Sequence, residues 1–179
     1  ADTNPNKIDL GVGVYKDEQG NTPIVGAVAQ AQARLLESET SKTYITPQGV
    51  QGYIDGMLEL LLGKGNPAVL ANRVAAVQAP GGCGALRILA ELLKRCNDNA
   101  KVWVSDPTWA NHIPLIGNAG LALDTYPYFD KATASIRFDA MLDTLKTIPK
   151  GDVVLLHACC HNPTGADLTQ DQWRQVAEV

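Results

Sequence analysis

Positive charge is not in excess in this sequence of 179 residues: 15 Lys and Arg stand against 19 Asp and Glu, a formal net charge of −4. A protein that tracks a phosphate backbone needs such an excess, so the composition argues against nucleic-acid binding. Apolar runs of roughly 18 residues, as in a membrane-spanning helix, are also lacking. Because hydrophobic residues make up 45% and charged residues only 19% of the chain, we expect most of it to be buried in a core.

Cysteine is scarce, and no signal-peptide pattern accompanies it. The chain has Cys83, Cys96, Cys159 and Cys160, which do not form a disulfide framework, and the adjacent pair can hardly bond to each other. We therefore expect a reducing, cytoplasmic location, with an organelle as the alternative. The sequence begins without Met and ends inside a predicted helix, so we expect it to be cut from a longer chain.

Two amphipathic helices are predicted in the first third of the chain, because apolar residues recur there at helical spacing. They are Val28, Ala31 and Leu35 in the first helix and Ile54, Met57, Leu58, Leu61 and Leu62 in the second. The loop between them contains Pro47 and Gly49 and is expected to expose Tyr44. The first twenty residues, interrupted by glycines, are predicted to be an arm or loop.

Beyond residue 67, apolar runs alternate with helical periods, which is typical of βαβ units and a mostly parallel sheet. Strands are predicted at 73–78, 101–105, 121–128 and 152–158. Helices are predicted between them, with apolar faces built by Ala85, Ile88, Leu89, Leu92 and Leu93 and by Phe138, Met141, Leu142 and Leu145. Thr169 and Gln172 have the spacing of a capping box and predict a last helix.

Three of the loops that follow strands are unusual, and ligands of open α/β sheets bind where such loops gather. The loop 79–85 places glycines at a helix start, where free N–H groups suit a phosphate, although tight packing of helix on strand explains them equally well. The loop 105–112 presents Trp109, which either stacks on a flat ligand or packs. The loop 157–165 carries an Asn-Pro bond that, if cis, would aim Asn162 into a site.

The residues of these loops also suggest two other chemistries. The cluster of histidines and cysteines at 157–161 suggests a metal site, but side chains alternate between the faces of a strand, which disfavours convergence on one ion. Cys83 at a helix start suggests a thiolate nucleophile with His157 as its base. The phosphate site accounts for the glycines better than the nucleophile does, so we expect no metal and no cysteine chemistry.

The motifs of these loops occur in an order that resembles one enzyme family. HACCHNPTG, with PGGCGALR and VSDPTWANH before it and LGVGVYKDEQG near the start, is similar to the aspartate/aromatic aminotransferases, which use pyridoxal phosphate. The resemblance runs over essentially the whole chain but covers only the N-terminal part of such an enzyme. It implies the three-layer α/β/α, mostly parallel sheet of the fold-type-I large domain, here incomplete, at 21–179, with 1–20 as an arm that starts the small domain.

The resemblance also implies roles for individual residues. Gly82 and Cys83 match the turn that binds the cofactor phosphate, although the family usually has Thr or Ser at the second position, and a thiol is a weaker hydrogen-bond donor than a hydroxyl. Trp109 matches the indole that stacks on the cofactor ring and helps to hold the substrate. Asn162 matches the amide that reaches the cofactor and the substrate carboxylate.

Four further residues match family positions around this site. His112 and His157 match residues beside the cofactor's ring nitrogen. Gly13 matches a mobile segment that closes over the substrate. Tyr44 matches a residue that reaches the phosphate of a neighbouring subunit, which implies a homodimer.

The implied reaction moves an amino group from an L-amino acid, with aspartate as the leading substrate, to 2-oxoglutarate. An aromatic aminotransferase and an inert fragment that binds phosphate or the cofactor are the alternatives. The Schiff-base lysine is expected beyond Val179, because none of the chain's lysines has the context of the family's lysine motif. We therefore expect no catalytic residue in this segment and no turnover by it alone.

Overall fold

The computed structural model describes residues 3–8, 11 and 13–179. It divides into two compact units, Ala1–Ile45 and Thr46–Val179. The predicted arm at 1–20 includes residues 1, 2, 9, 10 and 12, which lie outside the described residues. The assignment of 1–20 and 21–179 to two domains stays a prediction.

The described residues form seven helices and five strands, joined by turns and loops. The helices are α1 (Gly26–Ser38), α2 (Gln51–Leu62), α3 (Pro67–Leu70), α4 (Gly81–Cys96), α5 (His112–Gly117), α6 (Phe138–Leu145) and α7 (Gln170–Glu178). The strands are β1 (Lys101–Asp106), β2 (Ala122–Pro127), β3 (Phe129–Asp130), β4 (Ser135–Ile136) and β5 (Val153–Val154). The predicted helices are confirmed, whereas α3, α5 and the β3–β4 pair were not predicted.

Three parallel strands form the main sheet, in the order β2-β1-β5. Ser105 pairs with Tyr126 of β2, and Trp103 pairs with Val154 of β5. The two short strands β3 and β4 form a separate antiparallel pair. Because the main strands are parallel, their carboxyl ends lie at one edge of the sheet, and the loops that follow them meet there.

Apolar residues cover both faces of this sheet. Val102 and Val104 point to one face, where they pack with Ala90 of α4 and Ile116 of α5. Trp103, one residue out of phase, points to the other face, because side chains alternate along a strand. The second cluster contains Tyr126, Met141 and Leu145, with Trp173 of α7 packed against it. The result is the predicted three-layer α/β/α arrangement.

The last helix begins as the sequence predicts. The Thr169 side chain accepts a hydrogen bond from the backbone N–H of Gln172, and the Gln172 side chain accepts one from the N–H of Thr169. This reciprocal pair satisfies two donors that a helix start otherwise leaves free.

Two of the strand predictions are wrong in extent or existence. The segment 73–78 forms no strand, because no strand of the described residues lies beside it to complete a ladder; the N–H of Gln78 bonds instead to the carbonyl of Gln48 at 2.8 Å. The segment 152–158 contributes only Val153 and Val154 to the ladder with β1. Residues after Leu155 leave the sheet, so their backbone is available to shape a loop.

The expectation that most of the chain is buried is also wrong. Helix α1 has no buried residue, and Ile54 is the buried residue of α2. Leu36 is 86% and Leu60 is 77% exposed. These apolar faces are exposed because the described residues of each unit provide no second layer to pack on them. None of the described helices is long and apolar enough to cross a membrane.

Candidate functional site

An open cleft of about 300 Å³ lies beyond the carboxyl ends of β1 and β5. Four residues singled out by the sequence line it: Trp109, His112, His157 and Asn162. The other lining residues are Leu86, Leu155, Leu156 and Cys159. Two loops that are distant in sequence thus meet at one site, as expected for loops at one edge of a parallel sheet.

The first wall of the cleft is the loop after β1. Trp109 is half-buried, and its ring meets the ring of His112 edge to face, with centroids 5.3 Å apart. The N–H of His112 donates to the carbonyl of Trp109 at 2.9 Å, and its Nδ1 lies 2.8 Å from the hydroxyl of Thr108. These bonds fix the histidine, which in turn supports the indole.

The second wall is the loop that contains His157 and Asn162. The backbone N–H of Asn162 donates to Nδ1 of His157 at 3.1 Å. Burial lowers the pKa of His157, so its ring is neutral near pH 7. A neutral ring that accepts at Nδ1 carries its proton on Nε2. That Nε2 is buried and has no hydrogen-bond partner among the described residues, which leaves one donor unsatisfied beside the cleft.

The three histidines of the chain form one continuous series of ring contacts. His112 meets His157 edge to face at 5.2 Å, and His157 stacks on His161 at 4.2 Å. His161 stacks on Tyr128 at 3.9 Å on its other side. Burial lowers the pKa of His112 and that of His161, the latter to about 4, and the neighbouring His157 lowers both further. The rings therefore pack as neutral groups.

An exposed carboxylate, that of Asp167, holds the turn between the cleft residues His157 and Asn162. The Asp167 side chain accepts from the backbone N–H of Cys160 at 2.7 Å and of His161 at 2.8 Å. These two bonds lower the pKa of Asp167. The bond between Asn162 and Pro163 is cis, as is the bond between Asp106 and Pro107. The cis bond at Asn162 is the one that the sequence indicates for this loop.

The predicted phosphate turn forms the first turn of α4, but neither Gly82 nor Cys83 lines this cleft. Gly82 lines a neighbouring cavity of about 380 Å³, with residues of α2 opposite. Cys83 is exposed. Leu86, one turn further along α4, reaches the cleft itself, so the start of this helix flanks it.

The sequence leaves open whether the glycines of this turn serve phosphate binding or tight packing, and the structure gives a different answer for each glycine. A Cβ at Gly84 would lie 2.9 Å from two ring carbons of Pro80, so close packing requires glycine there. Gly81 has φ +70°, a conformation that favours glycine. A Cβ at Gly82 would meet no atom within 4 Å. Packing therefore explains Gly84 but not Gly82.

Tyr44 and Gly13 belong to the first unit, Ala1–Ile45. Tyr44 is completely exposed, as the sequence predicts. Gly13 is also exposed, and a Cβ there would meet no atom within 4 Å. Their roles in phosphate and substrate binding stay predictions.

Other chemistries receive no support from the described geometry. His157 lies in the cleft, whereas Cys83 lies outside it, and Nδ1 of His157 is occupied by Asn162. No group of three or more His, Cys, Asp or Glu among the described residues has the geometry to hold a metal ion.

Sequence reasoning missed Cys159 and three leucines as lining residues, and it missed His161 and Asp167 as the residues that hold the loop. The position of Cys159, two residues after His157, could have indicated the first of these. Nothing in the local sequence pattern indicates that Asp167 binds the backbone of residues 160 and 161.

Comparison with known proteins supports the reading of the motifs. A family model, aminotransferase class I and II, matches residues 5–179. The chain is 47% identical to the tyrosine aminotransferase of Klebsiella pneumoniae, covering 99% of this chain and 45% of that protein. It is 45% identical to the aspartate aminotransferase of Haemophilus influenzae, covering 100% of this chain and 45% of that protein.

A solved structure gives the same result for the fold. The aromatic-amino-acid aminotransferase of Burkholderia pseudomallei, covalently bound to pyridoxal phosphate, matches with a TM-score of 0.92 and 45% identity, over 99% of this chain and 44% of that one. The chain spans less than half of the length of these relatives. With the family model matching nearly every residue, the motifs in family order and the backbone matching a solved member over 99% of its length, this chain belongs to the aminotransferase class I and II family.

Proposed function

We propose that this chain forms the N-terminal part of the cofactor site of a pyridoxal-phosphate-dependent aminotransferase. The observation that carries the proposal is the cleft at which Trp109, His112, His157 and Asn162 meet. A flat aromatic face and an exposed amide beside one cleft suit a flat, polar ligand. A relative of known structure, from Burkholderia pseudomallei, binds pyridoxal phosphate covalently.

The described residues fit this cofactor. His157 has a buried Nε2–H without an acceptor, and a buried donor left unsatisfied is costly, so the site suits a further acceptor brought by a ligand or by additional chain. Gly82 has open space where a side chain would stand, at the start of a helix whose free N–H groups suit a phosphate.

Each residue has a distinct task in this proposal. The indole of Trp109 packs on the cofactor ring, and the side-chain amide of Asn162 bonds to the cofactor and the substrate carboxylate. The backbone of Gly82 and Cys83 holds the phosphate. His112 and His157 keep their neutral form and support the two walls. Bound pyridoxal phosphate supplies an electron sink for the substrate carbon that loses a proton.

The leading substrate pair is L-aspartate and 2-oxoglutarate, and aromatic amino acids are the alternative. Relatives named as tyrosine and as aspartate aminotransferases have nearly equal identity to the chain, which supports amino-group transfer more strongly than either substrate. We place the complete enzyme in the cytoplasm as a homodimer, in which Tyr44 reaches the partner's phosphate and Gly13 belongs to a segment that closes over the substrate.

The alternative of an inert binding fragment rests on one specific observation. Among the residues that the structure describes, no lysine lines the cleft, so the covalent link to the cofactor and the proton transfer that it supports have no candidate there. We therefore propose that the 179-residue chain binds the cofactor without turning over substrate.

The test titrates the purified chain with pyridoxal phosphate and follows absorbance and tryptophan fluorescence, with Trp109→Ala as the site variant and Trp173→Phe as the control. Saturable binding that Trp109→Ala weakens and Trp173→Phe does not, without a stoichiometric adduct after borohydride and without conversion of aspartate and 2-oxoglutarate, is the expected result. Absence of binding, or binding unchanged in Trp109→Ala, would overturn the cofactor site. Turnover would overturn the inert state.

A further inference from the structure

His161 is buried at the centre of a hydrogen-bond chain behind the cleft, although it does not line the cleft. Only 2% of the residue is exposed. Its Nε2 lies 2.9 Å from the hydroxyl of Ser105, and its Nδ1 lies 2.8 Å from the hydroxyl of Thr164. Both ring nitrogens are therefore satisfied by hydroxyl groups from two different parts of the chain.

Ser105 pairs with Tyr126 in the parallel ladder, and the hydroxyl of Tyr126 donates to the carbonyl of Leu155 at 2.8 Å. These contacts lead from His161 to the second strand and on to the cleft. The direction of the two bonds of His161 follows from its other neighbour, Thr164.

The Thr164 hydroxyl accepts from the N–H of Ala166 at 3.2 Å, so we assign its own proton to the bond with Nδ1 of His161. His161 is neutral because burial lowers its pKa to about 4, and a neutral ring that accepts at Nδ1 donates from Nε2, here to the hydroxyl of Ser105. We call Thr164, His161 and Ser105, together with Tyr126 opposite Ser105 in the sheet, the relay.

The relay connects the loop to two strands and then to the cleft. Ser105 is the fifth residue of β1 and pairs with Tyr126 of β2. Leu155, whose carbonyl accepts a hydrogen bond from the Tyr126 hydroxyl, lines the cleft two residues before His157. His161 therefore joins the ends of both strands to the loop of the cleft.

The same residue fixes His157 in two further ways. The His161 ring stacks on the His157 ring at 4.2 Å, with 21° between the ring planes. The backbone N–H of His161 is held by Asp167, and the next N–H, that of Asn162, donates to Nδ1 of His157. The place of His161 thus decides whether the His157 ring receives this donor and in which orientation it stands.

We propose that His161 is a positioning residue, which through the relay and its ring contact imposes the Nε2–H tautomer of His157 and places Asn162 at the cleft. Its value to catalysis rests on the proposed function, because a cofactor bound in the cleft would meet His157 and Asn162 in this preset form. The tautomer itself is a property of the protein without cofactor. The two proposals can therefore fail separately.

The test uses ¹⁵N-labelled full chain without cofactor and reads the two ring nitrogens of His157 by long-range ¹H–¹⁵N correlation. In the wild type we expect one neutral tautomer with the proton on Nε2. His161→Phe keeps a flat ring for stacking but cannot continue the relay, so we expect His157 to become a mixture of tautomers. His161→Gln retains a donor and an acceptor, so we expect partial rescue.

Leu121→Ala is the control for a merely structural effect. Leu121 is 4% exposed and packs in the cluster on the α4 side of the sheet, before the start of β2, so its truncation destabilises the fold without touching the relay. We expect its His157 spectrum to match the wild type. If Leu121→Ala shifts the tautomer as much as His161→Phe does, the proposal fails.

Thr164→Val keeps the proposal testable if His161→Phe does not fold, because it removes only the half-buried hydroxyl at the end of the relay. It too is expected to give mixed tautomers.

Pyridoxal phosphate titration of the same variants is expected to show about tenfold weaker binding, the loss that one hydrogen bond explains. A single Nε2–H tautomer in His161→Phe or in Thr164→Val overturns the positioning role, whereas no binding by the wild type overturns the proposed function alone.

Discussion

The backbone N–H of Asn162 donates to Nδ1 of His157 at 3.1 Å, and this bond leaves the proton of the imidazole on the buried Nε2. One contact within a single loop thus connects the residue that presents an amide to the cleft with the residue that carries an unsatisfied donor. An unsatisfied buried donor typically costs about 1–3 kcal/mol. The isolated chain therefore holds this histidine at a cost to its stability.

His157→Phe tests this cost. Phenylalanine keeps the stacking on His161 and removes the unsatisfied donor, while the freed N–H of the exposed Asn162 can bind water. We expect the free energy of unfolding, from urea denaturation, to rise by about 1 kcal/mol. His112→Phe is the matched control: it loses the bond to Thr108 without relieving a donor, so it should be less stable than the wild type. A loss of stability in His157→Phe would contradict the assignment.

Cys159 should report on occupancy of the cleft. It is exposed and lines the cleft, whereas the exposed Cys96 lies at the end of α4, away from it. We expect saturating pyridoxal phosphate to slow maleimide labelling of Cys159 severalfold and to leave Cys96 unchanged, as read by peptide mass spectrometry. Equal labelling rates at Cys159 with and without the cofactor would place the ligand elsewhere.

Where the sequence succeeded, a periodic pattern coincided with a tertiary contact. The apolar runs that predict β1 and β2 coincide with two strands that pair along their full length, with Ser105 opposite Tyr126. The meeting of Trp109 and Asn162 was predictable as well, because loops after parallel strands share one edge of the sheet.

Where the sequence failed, the outcome depended on neighbours that no local pattern specifies. The segment 73–78 has the composition of a strand, yet a strand exists only with a partner to bond to. The bond of His161 to Ser105 joins positions far apart in sequence. Its bond to Thr164 joins two side chains of one irregular loop. Neither has a periodicity that can be read in advance.

Gly82 and Gly84 should respond differently to alanine. A Cβ at Gly84 would approach the Pro80 ring to 2.9 Å, and a proline ring cannot turn away, so Gly84→Ala is expected to lower the free energy of unfolding by about 1–3 kcal/mol. Gly82→Ala places its methyl in open space on a helix, so stability should be unchanged or rise by up to about 1 kcal/mol. If Gly82 approaches the phosphate, only this second, stable variant should bind pyridoxal phosphate more weakly than wild type at equal folded fraction.

Stability should fall on mild acidification because all three histidines are held neutral. In the folded state the pKa values of His112, His157 and His161 are lowered, chiefly by burial, and that of His161 falls from 6.5 to about 4. The unfolded chain takes up protons first as the pH drops. The contribution of the neutral histidines to the free energy of unfolding is therefore fully present above pH 6.5 and is lost as the pH falls towards 4. For His161 alone the loss approaches about 3 kcal/mol.

Urea unfolding between pH 7.5 and 4.5 measures this loss directly, and ¹H NMR of the imidazole Cε1 protons identifies its source. We expect the free energy of unfolding to decrease steadily below pH 6.5 while the His161 resonance stays close to its neutral position down to about pH 5. Asp167, whose pKa is lowered by its two backbone bonds, keeps its charge throughout this range, so the loss cannot come from that carboxylate. Histidine resonances that titrate near pH 6.5 with constant stability would show that the three rings are not buried as a neutral cluster.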